Sequence, residues 1–136
     1  MTDTTRLYLS SQPLTQRIDA QQRYGTRDLT AWFLNLVAPQ GAYSVLDIGC
    51  GGGNHLIPFA KATANVVGID TSQELIAKAH YLAQSESLDN VRLVVASGDS
   101  FDMCDEVFDV VMCNFAIYYM NVPAVVERIA KHLKIN

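Results

Sequence analysis

Cysteine is scarce in this chain of 136 residues: there are three, Cys50, Cys104 and Cys113, and no CxxC pair. An odd, dispersed set of thiols excludes a disulfide scaffold and a structural zinc site, and a reducing compartment, the cytoplasm, is expected. The N-terminal stretch "MTDTTRLYLSSQPLTQRIDAQQRYG" lacks the apolar core of a signal peptide. No segment reaches the roughly 18 apolar residues of a membrane span, so no membrane partner is expected. Long runs of one charge are missing too. With 10 basic against 14 acidic residues and a net charge of -4, there is no Lys or Arg stripe to follow a phosphate backbone. No nucleic-acid partner is expected on that ground. The three histidines, His55, His80 and His132, share no metal-ligand spacing, and roles lining helices or facing solvent are expected of them.

What the chain does have is apolar material in a regular arrangement. Hydrophobic residues make up 49% of it, enough for one folded domain with a modest core. Pro13 suits an early helical position, and a helix is expected from there to Tyr24, stopped by Gly25. Leu29, Trp32, Phe33, Leu36 and Val37 then fall on one helical face, with Thr26 available as a cap and Pro39 as terminator. From Tyr43 onward, strand and helix patterns alternate. Strands are predicted over 43–48, 65–70, 91–95 and 108–115, and helices over 54–63, where Pro58 is expected to introduce a kink, over 73–86, which Ser72 could cap, and after Asn121, with His132 beside the apolar stripe. Strands apolar along their whole length and separated by helices indicate parallel pairing covered on both faces. The expected fold class is α/β, a Rossmann-like doubly wound parallel sheet, with a helical cap over 1–42 and the core over 43–136.

The most informative stretch is "VLDIGCGGGNHLIPFA", residues 45–60. Gly49, Gly51 and Gly53 stand where the first strand must turn into a helix. Each can take positive φ or admit a ligand close to the backbone, and the following helix offers unpaired N–H groups. A P-loop is excluded, because Lys61 stands too far from the glycines and no hydroxyl follows it. A GxGxxG dinucleotide turn fails at Asn54, and it leaves Asp47 beside a pyrophosphate that would repel it. Asp47 makes better sense next to a cationic ligand, although organising the turn by accepting backbone N–H groups is compatible with that.

Asp70 closes the second strand, 21 residues after Gly49, where a carboxylate commonly accepts ribose hydroxyls; capping the next helix is its alternative duty. Asp99 follows the third strand in "ASGDSF", and Asn114 ends the fourth in "VVMCNF". Ligands of open sheets bind outside the carboxyl ends of the strands, so these polar positions are expected to meet in one adenosine-shaped crevice.

These residues resemble the class I S-adenosylmethionine-dependent methyltransferases, particularly the group that modifies small molecules. "VLDIGCGGGN", "VVGIDTS", "VRLVVASGD" and "FDVVMCNFAIYYM" are similar to four successive motifs of that family, over about residues 43–134. The resemblance implies S-adenosyl-L-methionine as cofactor, with Asp47, Cys50 and the backbone of Gly49, Gly51 and Gly53 around its methionine part. It implies Asp70 with Thr71 at the ribose, Asp99 with Ser100 at the adenine amino group, and Asn114 with Phe115 near the methionyl end. Tyr24 and the helix before it would contribute to a lid. The implied partner is a small-molecule methyl acceptor. No catalytic triad is required, since the sulfur already carries the charge.

The chain departs from the pattern in two places. "NFAIYYM" lacks the NPPY or DPPY signature linked to methylation of amide or base nitrogens, and Tyr118 and Tyr119 stand where many relatives carry paired histidines. After "HLKIN" the family continues into three further strands, so this chain is expected to be part of a longer methyltransferase. The alternative is a non-catalytic product acting through a protein partner, with self-association through an exposed strand 108–115.

Overall fold

The computed structural model describes residues 23, 25 and 28–135. Apart from Arg23, which is helical, the expected helix over 13–24, its Tyr24 and the Thr26 cap lie outside the described residues. The chain divides into two units, one ending at Val37 and the other beginning at Ala38. The first contains helix α1, Leu29–Val37. Its cap is Asp28, whose Oδ1 accepts the Ala31 amide at 3.0 Å. Asp28 immediately precedes the first helical residue, where a side-chain oxygen reaches the first-turn amides.

The second unit is built on strands β1 (Ser44–Ile48), β2 (Asn65–Asp70), β3 (Val91–Val95) and β4 (Val110–Met112). Helices α2 (Leu56–Ala62), α3 (Gln73–Ser85) and α4 (Val122–His132) alternate with them. All pairings are parallel and the strand order is β3-β2-β1-β4. This is the Rossmann-like doubly wound sheet that the periodicity predicted. Val45, Leu46, Ile48, Val66, Val67 and Ile69 are fully buried, as strands covered on both faces must be.

At the amino end of the sheet, Asp109 binds β1 to β4. Its Oδ2 accepts the Ser44 amide at 2.8 Å and the Ser44 hydroxyl at 3.0 Å, and Lys134 reaches both of its oxygens at 2.9 Å. The Ser44 amide first, then the Lys134 ammonium, hold the Asp109 carboxyl down to about 2. Asn90 does similar work beside β2, donating from Nδ2 to the Ala60 and Thr63 carbonyls at 2.7 and 2.9 Å. Both fastenings lie away from the carboxyl edge of the sheet.

Three expectations need correction. The fourth strand, predicted over 108–115, is only Val110–Met112. Phe108 instead forms a parallel bridge to Leu133, donating to the His132 carbonyl at 2.7 Å, and Phe115 leaves extended geometry with φ of 58°. Pro58 was expected to kink its helix, yet it stands in the first turn of α2, where a missing N–H removes no intrahelical bond. His132 was expected beside an apolar stripe and is fully buried, its Nδ1 2.8 Å from the Glu106 carbonyl and its ring 5.3 Å from that of Phe101.

Candidate functional site

The turn between β1 and α2 is anchored to the end of β2. The amides of Gly49 and Cys50 both donate to the Ile69 carbonyl, at 2.8 and 3.0 Å. Gly49, Gly51 and Gly53 have φ of 73°, 55° and 89°, the left-handed region that the sequence pattern anticipated. At Gly49 space is short as well: an added Cβ would collide with the Ala116 side chain. The segment after β4 therefore lies directly against the carboxyl end of β1. Met120 extends the same contact, since a Cβ at Gly98 would meet its Sδ at 2.5 Å and Ile48 at 2.8 Å.

Asp70 lies where β2 ends, and both of its oxygens are engaged. Oδ2 accepts the Gly51 amide and Oδ1 the Ser72 amide, each at 2.9 Å. Helix α3 has its own cap in Ser72, whose Oγ accepts the Leu75 amide at 3.2 Å. The carboxylate thus ties the glycine turn to the entry of α3 instead of capping α3. Thr71 beside it is exposed.

Asp47 is 2% exposed in the middle of the sheet edge, and among the described residues none donates a hydrogen bond to its carboxylate. Burial first, and the Asp70 charge second, raise its carboxyl from 3.8 to about 7. The same field reaches its neighbours. Burial followed by Asp47 lifts the Cys113 thiol to about 11, and burial, Asp47 and Asp70 lift that of Cys50 further, so both stay protonated.

Asp99 lies in the loop after β3, half-buried, and its Oδ1 accepts the Asn121 amide at 2.9 Å. Asn121 in turn caps α4, accepting the Ala124 amide at 3.2 Å. Sequence reasoning missed this link; the small residues Gly49, Gly98 and Ala116 were its available signal. Ser100 is exposed next to Asp99. Asn114 lies past the end of β4, its Nδ2 4.0 Å from Met112 Sδ, and Phe115 is 56% exposed.

Strand order β3-β2-β1-β4 puts the change of winding direction between β1 and β4. Asp47, the glycine turn, Asp70, Asp99, Asn114 and Phe115 all lie at or beyond the carboxyl ends of these strands, where open α/β sheets take their ligands. Residues 45–136 match the methyltransferase domain family model. The chain belongs to that family. Its architecture is that of the class I S-adenosylmethionine-dependent methyltransferases.

Among curated relatives, the chain is similar to the uncharacterized methyltransferase YcgJ of Bacillus subtilis (strain 168), 30% identical over 93 residues, 68% of this chain and 37% of that protein. The crystal structure of YcgJ superposes with a TM-score of 0.73 at 26% identity, covering 77% of this chain and 45% of that one. The ubiquinone biosynthesis O-methyltransferase of Hydrogenovibrio crunogenus is 35% identical over 94 residues, 67% of this chain and 38% of that protein. The 23S rRNA (uracil(1939)-C(5))-methyltransferase RlmD of Hahella chejuensis is 31% identical over 70 residues, 52% of this chain and 16% of that protein. The chain thus spans between about a sixth and two fifths of the length of these relatives.

The rRNA methyltransferases overturn the expectation that nucleic acid is no partner. That expectation came from the net charge of 136 residues. A summed charge does not report where individual basic side chains stand, so it does not exclude phosphate contacts. Among the described residues no helix is long and apolar enough to cross a membrane.

Proposed function

We propose that this domain binds S-adenosyl-L-methionine at the carboxyl edge of its sheet and serves a methyltransferase acting on a small-molecule acceptor. The observation that carries the cofactor reading is Asp47: a buried carboxylate without a hydrogen-bond donor among the described residues, in a crevice that holds a second carboxylate. Such a group is unfavourable alone and is stabilised by a cationic ligand. When bound, the cofactor supplies an electrophilic methyl carbon on positively charged sulfur.

The chain's residues divide the binding work. Asp70 already accepts two backbone amides, and each carboxylate oxygen keeps a further lone pair for a ribose hydroxyl, with Thr71 beside it. Asp99 offers Oδ2 to the adenine amino group while Oδ1 holds Asn121, and Ser100 lies alongside. Gly49, Cys50, Gly51 and Gly53 present bare backbone to the methionine part, bordered by Asn114 and Phe115. The division into a helical cap over 1–42 and a core over 43–136 is retained within this proposal, supported by the break after Val37. Three free cysteines, Cys50, Cys104 and Cys113, support a cytoplasmic setting.

The O-methyltransferase relative supports the small-molecule acceptor, since its match covers 67% of the chain against 43% to 60% for the RlmD proteins. RNA is the second reading, favoured by the rRNA methyltransferases. Calorimetry with S-adenosylmethionine, S-adenosylhomocysteine and NADH tests the cofactor: micromolar binding of the first two supports the proposal, and binding of NADH alone overturns it. Transfer of a labelled methyl group into a small-molecule extract or into total RNA separates the two acceptors.

A further inference from the structure

Helix α4 holds the loop between β3 and β4 at both of its ends. At its start, the Asn121 amide donates to Asp99 Oδ1 at 2.9 Å. At its end, His132 Nδ1 lies 2.8 Å from the Glu106 carbonyl, and the ring packs 5.3 Å from that of Phe101. A carbonyl can only accept, so Nδ1 carries the hydrogen and Nε2 of the neutral ring is a bare acceptor. That nitrogen is buried and has no hydrogen-bond partner among the described residues. Asp102 Oδ1 faces it at 3.9 Å, so a lone pair meets a carboxylate across a gap too long for a bond.

Asp102 is engaged elsewhere. Its Oδ1 accepts the Lys131 ammonium at 3.0 Å and the Cys104 amide at 2.8 Å, which uses both lone pairs of that oxygen. Lys131 first, then the Cys104 amide, hold its carboxyl below the usual carboxylate range, so it is ionised near neutral pH. Of the other charges around His132, Glu106 is paired with Arg92 of β3 at 2.6 Å and Lys134 with Asp109 at 2.9 Å. Asp105 and the Cys104 thiol are exposed, and Arg128 stands one turn back on α4.

A proton on Nε2 reverses the interaction across that gap. The imidazolium presents a donor where the neutral ring has a lone pair, and it stands in the last turn of α4, where the helix dipole favours a cation. Being buried, it must have an acceptor. Asp102 can supply one by releasing Lys131, which is half-exposed and regains water in exchange.

We infer that His132 is a proton-operated latch on this loop: neutral, it holds the loop through Glu106 alone, and protonated from solvent at Nε2 it takes the Asp102 carboxylate from Lys131 and draws the loop onto α4. Asp99 stands three residues before Asp102 and is tied to the other end of the same helix, so the latch also acts on the Asp99 carboxylate. Its bearing on adenine rests on the proposed methyl-transfer reading; the latch itself does not.

Proton-nitrogen NMR from pH 8 to pH 5 tests it. At pH 8 the His132 ring is expected to carry a proton on Nδ1 only. On acidification Nε2 gains one, and the amides of Cys104, Glu106, Asp99 and Asn121 shift in step with it. Asp102→Asn is expected to make the response need more acid, and Lys131→Gln, which frees the carboxylate, less. His132→Asn keeps a donor for the Glu106 carbonyl and takes no proton, so it should lack the response, whereas Asp47→Asn should retain it. An Nε2 without a proton at pH 5, amide shifts that persist in His132→Asn, or an unchanged response in both Asp102→Asn and Lys131→Gln overturns the latch. The last two substitutions stand at exposed positions and carry the test if His132→Asn does not fold. Adenosine, which lacks the sulfonium, is expected to bind about fivefold more tightly at pH 5 than at pH 8, and equally at both in His132→Asn. A dependence that survives in His132→Asn breaks the link to adenine. No adenosine binding at either pH counts against the cofactor reading, and the amide response then judges the latch alone.

Discussion

The Asp70 carboxylate accepts the Gly51 amide at 2.9 Å, joining the end of β2 to the turn that follows β1. Its other oxygen holds the Ser72 amide at the same distance. The group proposed to receive the ribose therefore also shapes the turn proposed to receive the methionine part. Damage at one position is transmitted to the other.

Asp70→Ala removes an ionised acceptor from two part-buried amides, which amounts to about 1–3 kcal/mol of stability. Urea denaturation measures that loss. Calorimetry is expected to show S-adenosylhomocysteine affinity reduced at least tenfold, with Asp70→Asn between Ala and the unsubstituted protein. A full-affinity Asp70→Ala variant would contradict the assignment.

Gly49→Ala faces two penalties, a left-handed φ of 73° and the collision with Ala116. Together they are expected to destabilise the fold by about 2–4 kcal/mol. The double variant Gly49→Ala with Ala116→Gly removes the collision and keeps the backbone strain, so it should recover roughly half. A loss below about 0.5 kcal/mol in the single variant would show that the turn is not constrained as described.

Much of this was legible in the sequence, and the failures have physical causes. The alternation of apolar strands with helices gave β1, β2 and β3 to within a residue, because buried parallel strands read as unbroken apolar runs. Ser72 was recognisable as a cap from residue type and position, and Asn121 as the residue before the last helix. The fourth strand was overextended because the left-handed backbone at Phe115 leaves no mark in hydropathy. The burial of His132 and the Asp99–Asn121 bond depend on contacts between distant segments, which periodicity does not encode. The charge balance misled about nucleic acid because a net charge summed over 136 residues does not locate individual phosphate contacts.

His132 separates packing from hydrogen bonding. His132→Ala opens a cavity in the core near Phe101 and frees the Glu106 carbonyl, and about 2–5 kcal/mol of stability is expected to be lost. His132→Leu fills most of the space and leaves the carbonyl without its donor, so its loss is expected to be smaller, about 1–3 kcal/mol. Equal losses in urea denaturation would show that the hydrogen bond, not the volume, holds this position.

Asp47 gives the domain a distinctive pH dependence. The unfolded chain releases this proton near 3.8 and the folded protein only at about 7. Between those values the folded state binds more protons, so its stability falls as pH rises through that window. Asp47→Asn lacks this decline. Its stability relative to the unsubstituted protein is expected to grow from pH 4 to pH 8, measured by thermal melts. Without that divergence, the carboxyl is not raised.

The same carboxyl provides the most direct test of the cofactor site. A cation bound beside Asp47 favours its ionised form, so S-adenosylmethionine binding at pH 6 is expected to release a proton. Calorimetry in two buffers of different ionisation enthalpy measures this release. The account predicts a clear release at pH 6 that vanishes in Asp47→Asn and shrinks above pH 8. Tight binding without proton release at pH 6, or with release unchanged in Asp47→Asn, would place the cofactor's charge away from the β1 carboxylate and contradict the site.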